Sequence, residues 1–156
     1  MKSVNIRLLT VAILLSLPAL QAQPAAERPY DPTLGDLMGM TQLRHFKLWY
    51  AGRSENWELV RYEIDQIHAS FEEARRRYPA LGDLDMAKMI QIDSYVPLDN
   101  LRRAALSKDS AAFSANFDRL TAACNACHQA AHFAFIKINT PTTSPFSNQT
   151  FTVEHN

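Results

Sequence analysis

Residues 56–78, NWELVRYEIDQIHASFEEARRRY, carry the most regular pattern in the chain. Their apolar members recur at alternating spacings of three and four residues: Trp57, Val60, Ile64, Ile67, Phe71, Ala74 and Tyr78. This spacing predicts a helix with one apolar face that packs against neighbouring helices. Pro79 disfavours helical geometry in the residue before it, so the predicted helix ends at Tyr78.

Similar patterns on either side predict three more helices, at residues 33–51, 83–106 and 110–138. The first is expected to begin with a capping box formed by Thr33 and Asp36, and to end with Gly52 as its C-terminal cap. Pro97 lies inside the third segment, where the missing N–H group of proline must kink or split a helix.

Length and composition agree with this pattern. The chain has 156 residues, enough for one domain, and its 4 Gly against 8 Pro disfavour an all-β fold built on Gly-rich turns. Because the predicted helices are joined by short connections, we expect an all-α fold, an antiparallel four-helix bundle at residues 31–138. Residues 139–156 are rich in Thr, Ser, Pro and Asn and are expected to form an irregular C-terminal tail.

The N-terminus has the features of a secretory signal peptide at residues 1–22. Lys2 and Arg7 precede an apolar run from Leu8 to Leu17. A membrane-spanning helix needs about 20 apolar residues. The sequence therefore predicts a cleaved signal, a periplasmic protein and no stable membrane insertion, with an uncleaved anchor as the alternative. The 16 basic and 16 acidic residues cancel, so no nucleic-acid partner is predicted.

The strongest chemical motif is Cys124-Asn125-Ala126-Cys127-His128, which is C-x-x-C-H. This pattern is typical of covalent attachment of c-type haem. On a helix, thiols three residues apart share a face and can add to the two vinyl groups of one haem. The next residue, His128, then supplies an imidazole to the iron. The motif predicts one covalent haem c, held by Cys124 and Cys127, with His128 as the proximal ligand.

The motif has three other possible interpretations. A thiol redox pair normally follows a strand at the start of a helix, and no such pattern is present. A zinc site could use Cys124, Cys127, His128 and His132, but structural zinc usually draws its ligands from two separated pairs. A disulfide would strain a position inside a helix.

The position of the motif narrows the class of haem protein. All five methionines precede it, so no later Met can serve as sixth ligand, as one does in the common small cytochromes c. A late C-x-x-C-H on the fourth amphipathic helix resembles the class II cytochromes c, the cytochrome c-prime group. The resemblance covers residues 33–138 and implies haem lodged between helices, a proximal His128 and a distal residue from the first helix. The tail is longer than in typical members.

Two tracts, at residues 42–49 and 56–59, also resemble a set of uncharacterised secreted monohaem helical proteins.

Two residues of the first helix are candidates for the distal iron ligand. His45 and Met38 are seven residues apart and share a helix face, whereas Met40 points about 160° away. His45 is the first choice, as ligand or as hydrogen-bond donor in the distal pocket, and Met38 is the second. Ordinary alternatives remain for both: a hydrogen-bonded, partly buried histidine and a methionine packed in the core.

The expected function is one-electron transfer between this protein and periplasmic redox partners. The alternative is a five-coordinate haem that binds NO or CO as a sensor, scavenger or buffer. The sequence does not predict an enzyme, because a peroxidase would need a distal histidine acting with an arginine. Arg44, next to His45, projects about 100° away from it on a helix. The resemblance to class II cytochromes also implies pairing of two copies as a homodimer.

Overall fold

The computed structural model describes residues 30–144 and 146–153, so the predicted signal peptide at residues 1–22 lies outside the described residues. The helical elements are α1 (Leu34–Arg53), α2 (Trp57–Arg77), α3 (Met86–Met89), a π-helix (Ile90–Ser94), α4 (Tyr95–Ser107) and α5 (Ser110–Ala130). The described residues contain no strand, only an isolated bridge between Leu81 and Leu84. The all-α prediction is confirmed. None of the helices in the described ranges is long and apolar enough to cross a membrane.

The two ends of α1 differ in how well they were predicted. The capping box is present, because Thr33 Oγ1 accepts from the Asp36 N–H at 3.2 Å and the Asp36 carboxylate accepts from the Thr33 N–H at 2.9 Å. The assignment of Gly52 as C-cap is wrong, since the helix continues to Arg53 and Ser54 caps it. Gly52 instead lies against the ring of Phe113, where a Cβ atom would be 2.0 Å from Cε1.

The third predicted helix is interrupted, but before Pro97 rather than at it. A single turn, α3, passes through the π-helix into α4. Pro97 is the third residue of α4, and the carbonyl four residues before it, with which a proline ring clashes in a regular helix, belongs to Asp93 in the wider turn of the π-helix. The π-helix was not predicted, because its wider turn leaves no mark in the apolar spacing.

The fourth helix is shorter than predicted. It ends at Ala130 rather than residue 138, and His132 then adopts a left-handed conformation with φ 62°. The apolar spacing continues through Ala131, Ala134 and Ile138, which is why periodicity alone extended the helix. The backbone of residues 136–138 instead bonds to side chains of α5, as described below.

The long helices pack on one another as α1 on α2 and α5, α2 on α4, and α4 on α5. Between them lies an apolar core whose largest fully buried members come from α1, α2, α4 and α5: Phe113, Phe117, Leu48, Ile64, Ile67, Leu98, Leu101, Leu120 and Val60. Burial of such side chains stabilises a fold by about 1.5–3 kcal/mol each.

Aromatic contacts define the register between α1 and α5. The His45 ring lies 4.3 Å from Phe117, and the Trp49 ring lies 4.9 Å from Phe117 and 6.4 Å from Phe113. His45 also contacts Thr121. A residue one turn later on α1 therefore contacts a residue one turn earlier on α5.

The C-terminal segment is irregular, as predicted, and it packs against α1. No helix or strand occurs in the described residues after 138. The Phe146 ring lies 5.4 Å from Phe46, and the Phe151 ring lies 5.6 Å from Tyr50. Phe151 is buried, and its carbonyl accepts from Asn56 Nδ2 at 3.2 Å. These contacts give the segment an apolar anchor.

Candidate functional site

Both cysteines lie on the last two turns of α5. Cys124 and Cys127 are free thiols and both are partly buried. Their spacing of three residues on one continuous helix places them on the same face, as the sequence predicted. The structure therefore holds no disulfide between them, and two thiols are presented side by side.

Neither thiol has the acidity of a redox-active cysteine. Burial, with a further contribution from Cys127, raises the pKa of Cys124 to about 12. Burial and the nearby Asp93 carboxylate raise the pKa of Cys127 as well. Redox cysteines work through a lowered pKa that provides the thiolate at neutral pH. The raised pKa values argue against the interpretation of the motif as a thiol redox pair.

The zinc interpretation required four ligands in one place. In the described residues, no group of three or more His, Cys, Asp or Glu side chains is gathered so that it could hold a metal ion. His132, the fourth of the predicted ligands, is exposed and lies beyond the end of α5.

His128 is held by its ring as well as by its backbone. Its Nδ1 lies 2.7 Å from the carbonyl oxygen of Ile136. A carbonyl oxygen can only accept a hydrogen bond, so Nδ1 carries the proton. In the neutral ring Nε2 then keeps its lone pair, which is the state of a histidine that ligates a metal through Nε2.

A loop that follows α5 brings this carbonyl to the histidine. The N–H of Phe133 donates to the carbonyl of His128 at 2.7 Å, and the N–H of Ile136 donates to the carbonyl of Phe133 at 2.8 Å. The chain thus turns back over the end of the helix.

Sequence reasoning missed one polar residue of the motif, Asn125. Its Oδ1 accepts from the Ile138 N–H at 2.8 Å, and its Nδ2 donates to the Ile138 carbonyl at 2.8 Å and to the Thr121 carbonyl at 3.1 Å. Asn occupies a position of C-x-x-C-H that any residue can fill, so the motif itself gives no signal. Its poor helix propensity and its tendency to bond to nearby backbone were the available clues.

The elements around the motif carry exposed apolar side chains. Four lie on the π-helix next to α5 or on the loop after α5: Ile92, Phe133, Phe135 and Ile136. Phe135 is 79% exposed and Ile92 is 58% exposed. Exposed apolar clusters mark places where another group binds. Two free thiols, an available imidazole nitrogen and apolar surroundings fit a covalently attached haem.

His45 is buried and already has a hydrogen-bond partner on α5. Its Nε2 lies 2.8 Å from Thr121 Oγ1, while the Thr121 hydroxyl donates to the Phe117 carbonyl at 3.0 Å. Because the single hydroxyl proton goes to Phe117, Nε2 of His45 must be the donor in this pair. A donating nitrogen has no lone pair for iron. The alternative of a hydrogen-bonded, buried histidine therefore describes His45 here, and its role as ligand stays a prediction.

Met38 lies closer to the level of His128. It is partly buried and packs against the apolar core. In the register given by the contacts of His45 with Thr121 and of Trp49 with Phe117, Met38 lies at the level of His128, about two turns before His45 on α1. Its role as distal ligand also stays a prediction.

Arg44 binds Glu63 and is not placed to act together with His45. Its guanidinium lies 3.3 Å from the Glu63 carboxylate, which is buried, and 5.7 Å from the centroid of the Tyr62 ring. Burial raises the pKa of Glu63, and the positive charge of Arg44 opposes that rise. The contact satisfies a charge that would be costly to bury alone.

Comparison with known proteins gives no further information about this site. No protein-family model, no curated protein and no solved structure matches the chain.

The buried His45 predicts a pH-dependent stability. Burial lowers its pKa from 6.5 to about 4 in the folded protein, so between these values the unfolded chain binds more protons. Stability is then lost as the pH falls, by about 2 kcal/mol between pH 7 and pH 5. Urea unfolding at the two pH values should show this loss in the wild type and a smaller one in His45→Gln. The exposed His132→Gln is the control, and an equal loss in His45→Gln would contradict the assignment.

Proposed function

We propose that this chain is a periplasmic c-type monohaem cytochrome that carries one electron at a time. The observation that carries the proposal is the hydrogen bond from His128 Nδ1 to the Ile136 carbonyl, directly after two free thiols on one helix face. It leaves Nε2 available for iron beside the two points of covalent attachment. The periplasmic location rests on the signal-like residues 1–22.

In this proposal each residue of the motif has one task. Each thiol of Cys124 and Cys127 would add its S–H across one vinyl C=C bond of the haem to give a thioether, and His128 would supply a nitrogen to the iron. A haem held in this way would supply reversible one-electron transfer at its iron. The loop after α5 keeps the imidazole in one tautomer and one orientation, and the exposed apolar side chains next to the motif would pack against the haem.

The proposed architecture is the antiparallel four-helix bundle. Its support comes from contacts between neighbours: His45 with Thr121 and Trp49 with Phe117 between α1 and α5, and Arg44 with Glu63 between α1 and α2. Between α2 and α4, the rings of His68 and Tyr95 lie 4.8 Å apart. With short connections, such neighbours alternate in direction around a common core.

The register favours Met38 over His45 as the sixth ligand, the reverse of the order expected from the sequence. A Met/His pair raises the reduction potential of a haem, which suits a carrier that accepts electrons from other periplasmic proteins. The proposed partners are periplasmic redox proteins and a second copy of this chain, with which it would form a homodimer.

Gas binding remains the second candidate because of one observation. His45 donates its Nε2 proton to Thr121, so it is not free to close the distal side of the iron. If Met38 stays packed in the core, the sixth position is open to NO or CO.

The first experiment is the visible spectrum of the secreted protein, ferric and then dithionite-reduced, before and after addition of CO. A haem spectrum that survives denaturation and extraction is expected, because thioether bonds are covalent. A reduced spectrum that CO leaves unchanged supports the electron carrier, whereas a shift on adding CO supports gas binding. A secreted protein without covalent haem contradicts both.

A further inference from the structure

The loop after α5 has one buried anchor. Residues 132–137 are exposed, whereas Ile138 is only 8% exposed. Ile138 is also the residue whose N–H and carbonyl both bond to the Asn125 amide, each at 2.8 Å. Asn125 thus binds the loop at the point where it returns to the helix.

The hydrogen bonds define the orientation of the Asn125 amide. Its oxygen faces one donor, the Ile138 N–H, and its NH2 group faces two acceptors, the carbonyls of Ile138 and Thr121. Exchanging the oxygen and nitrogen would place donor against donor and acceptor against acceptor. The amide therefore has one satisfied orientation, in which two of its hydrogen bonds join α5 to the loop and the third returns to the Thr121 carbonyl of α5.

The anchor lies next to the group that orients His128. Only Lys137 separates Ile138 from Ile136, whose carbonyl accepts from His128 Nδ1 at 2.7 Å. Two planar peptide units join Ile138 to the Ile136 carbonyl, so holding Ile138 in place limits how far that carbonyl can move away from His128. A path of hydrogen bonds and two peptide units thus runs from Asn125 to the histidine three residues later.

We propose that Asn125 is a positioning residue for His128 and that it acts through the backbone of residues 136–138. The inference rests on the proposed ligation of haem by His128. A ligating histidine that donates its other ring N–H to a carbonyl is a stronger electron donor, and outer partners of this kind tune the metal. Stronger donation favours ferric iron, so loss of the Asn125 anchor should raise the reduction potential.

The test compares Asn125→Ala with Gln129→Ala, which changes an exposed residue one turn later on α5. Both are purified with covalent haem, and their potentials are measured by spectroelectrochemical titration at pH 7. We expect a more positive potential for Asn125→Ala and no change for Gln129→Ala. We also expect faster hydrogen exchange at the Ile138 amide and at His128 Nδ1 in Asn125→Ala. A haem-loaded Asn125→Ala with the potential and exchange rates of the wild type would overturn the inference.

Hydrogen exchange in the wild-type holoprotein tests the same link if Asn125→Ala does not accumulate. The Ile138 amide and the His128 Nδ1 proton should open together and show similar protection. Widely different protection at the two sites would overturn the inference. A wild type that carries no covalent haem is a separate outcome: it contradicts the proposed function, whatever the exchange at Ile138.

Discussion

Replacing both Cys124 and Cys127 by alanine is expected to remove all covalently bound haem from the secreted protein. The two thiols are the only cysteines in the chain, so no other side chain can form a thioether bond. Both are free and share one face of α5, which is the arrangement that addition to two vinyl groups requires. The measurement is the haem absorbance that stays with the polypeptide after denaturation and acid extraction.

Single replacements and a neighbouring control sharpen this result. Cys124→Ala and Cys127→Ala each keep one thiol and are expected to retain reduced amounts of bound haem. His132→Ala changes an exposed residue just beyond α5 and should bind as much haem as the wild type. Haem that stays with the double variant through extraction would show that the motif is not the point of attachment.

The helices that the sequence predicted best are those whose ends are encoded locally. Thr33 and Asp36 form the predicted capping box, and α2 ends at Arg77, one residue before the predicted end. In both places a side chain or a proline acts on backbone within four residues, so the pattern contains the whole cause. The spacing of apolar residues along α2 likewise matches its buried face.

The fourth helix shows where local patterns fail. Its apolar spacing continues to Ile138, but the chain leaves the helix after Ala130 because Asn125 and His128 bond to backbone 8 to 13 residues later. Such bonds join groups that no helical period relates to one another. The same reason hid Asn125 from sequence analysis, although Cys124, Cys127 and His128 were evident from the motif.

The distal side of the proposed haem site is the part that the sequence predicts least well. The choice between His45 and Met38 depends on the axial position of α1 relative to α5. An apolar spacing repeats at every turn, so it is compatible with several positions that differ by whole turns. The aromatic contacts of His45 and Trp49 with Phe117 supply the missing register. The structure also shows Thr121 as the hydrogen-bond partner of His45, which the spacing of residues on a single helix could not reveal.

Gly52→Ala is expected to destabilise the protein although alanine is the better helix former. An alanine Cβ would lie 2.0 Å from the Phe113 ring, which is 1% exposed and packed against Trp49, Trp57 and Phe117. Overpacking of this kind costs about 1–3 kcal/mol, against a gain in helix propensity of up to about 1 kcal/mol. Gly39→Ala is the matched control on the same helix, because nothing lies within 4 Å of its added Cβ. Urea unfolding should show lower stability for Gly52→Ala and higher stability for Gly39→Ala. If both substitutions changed the free energy of unfolding alike, the close approach of α1 to Phe113 would be wrong.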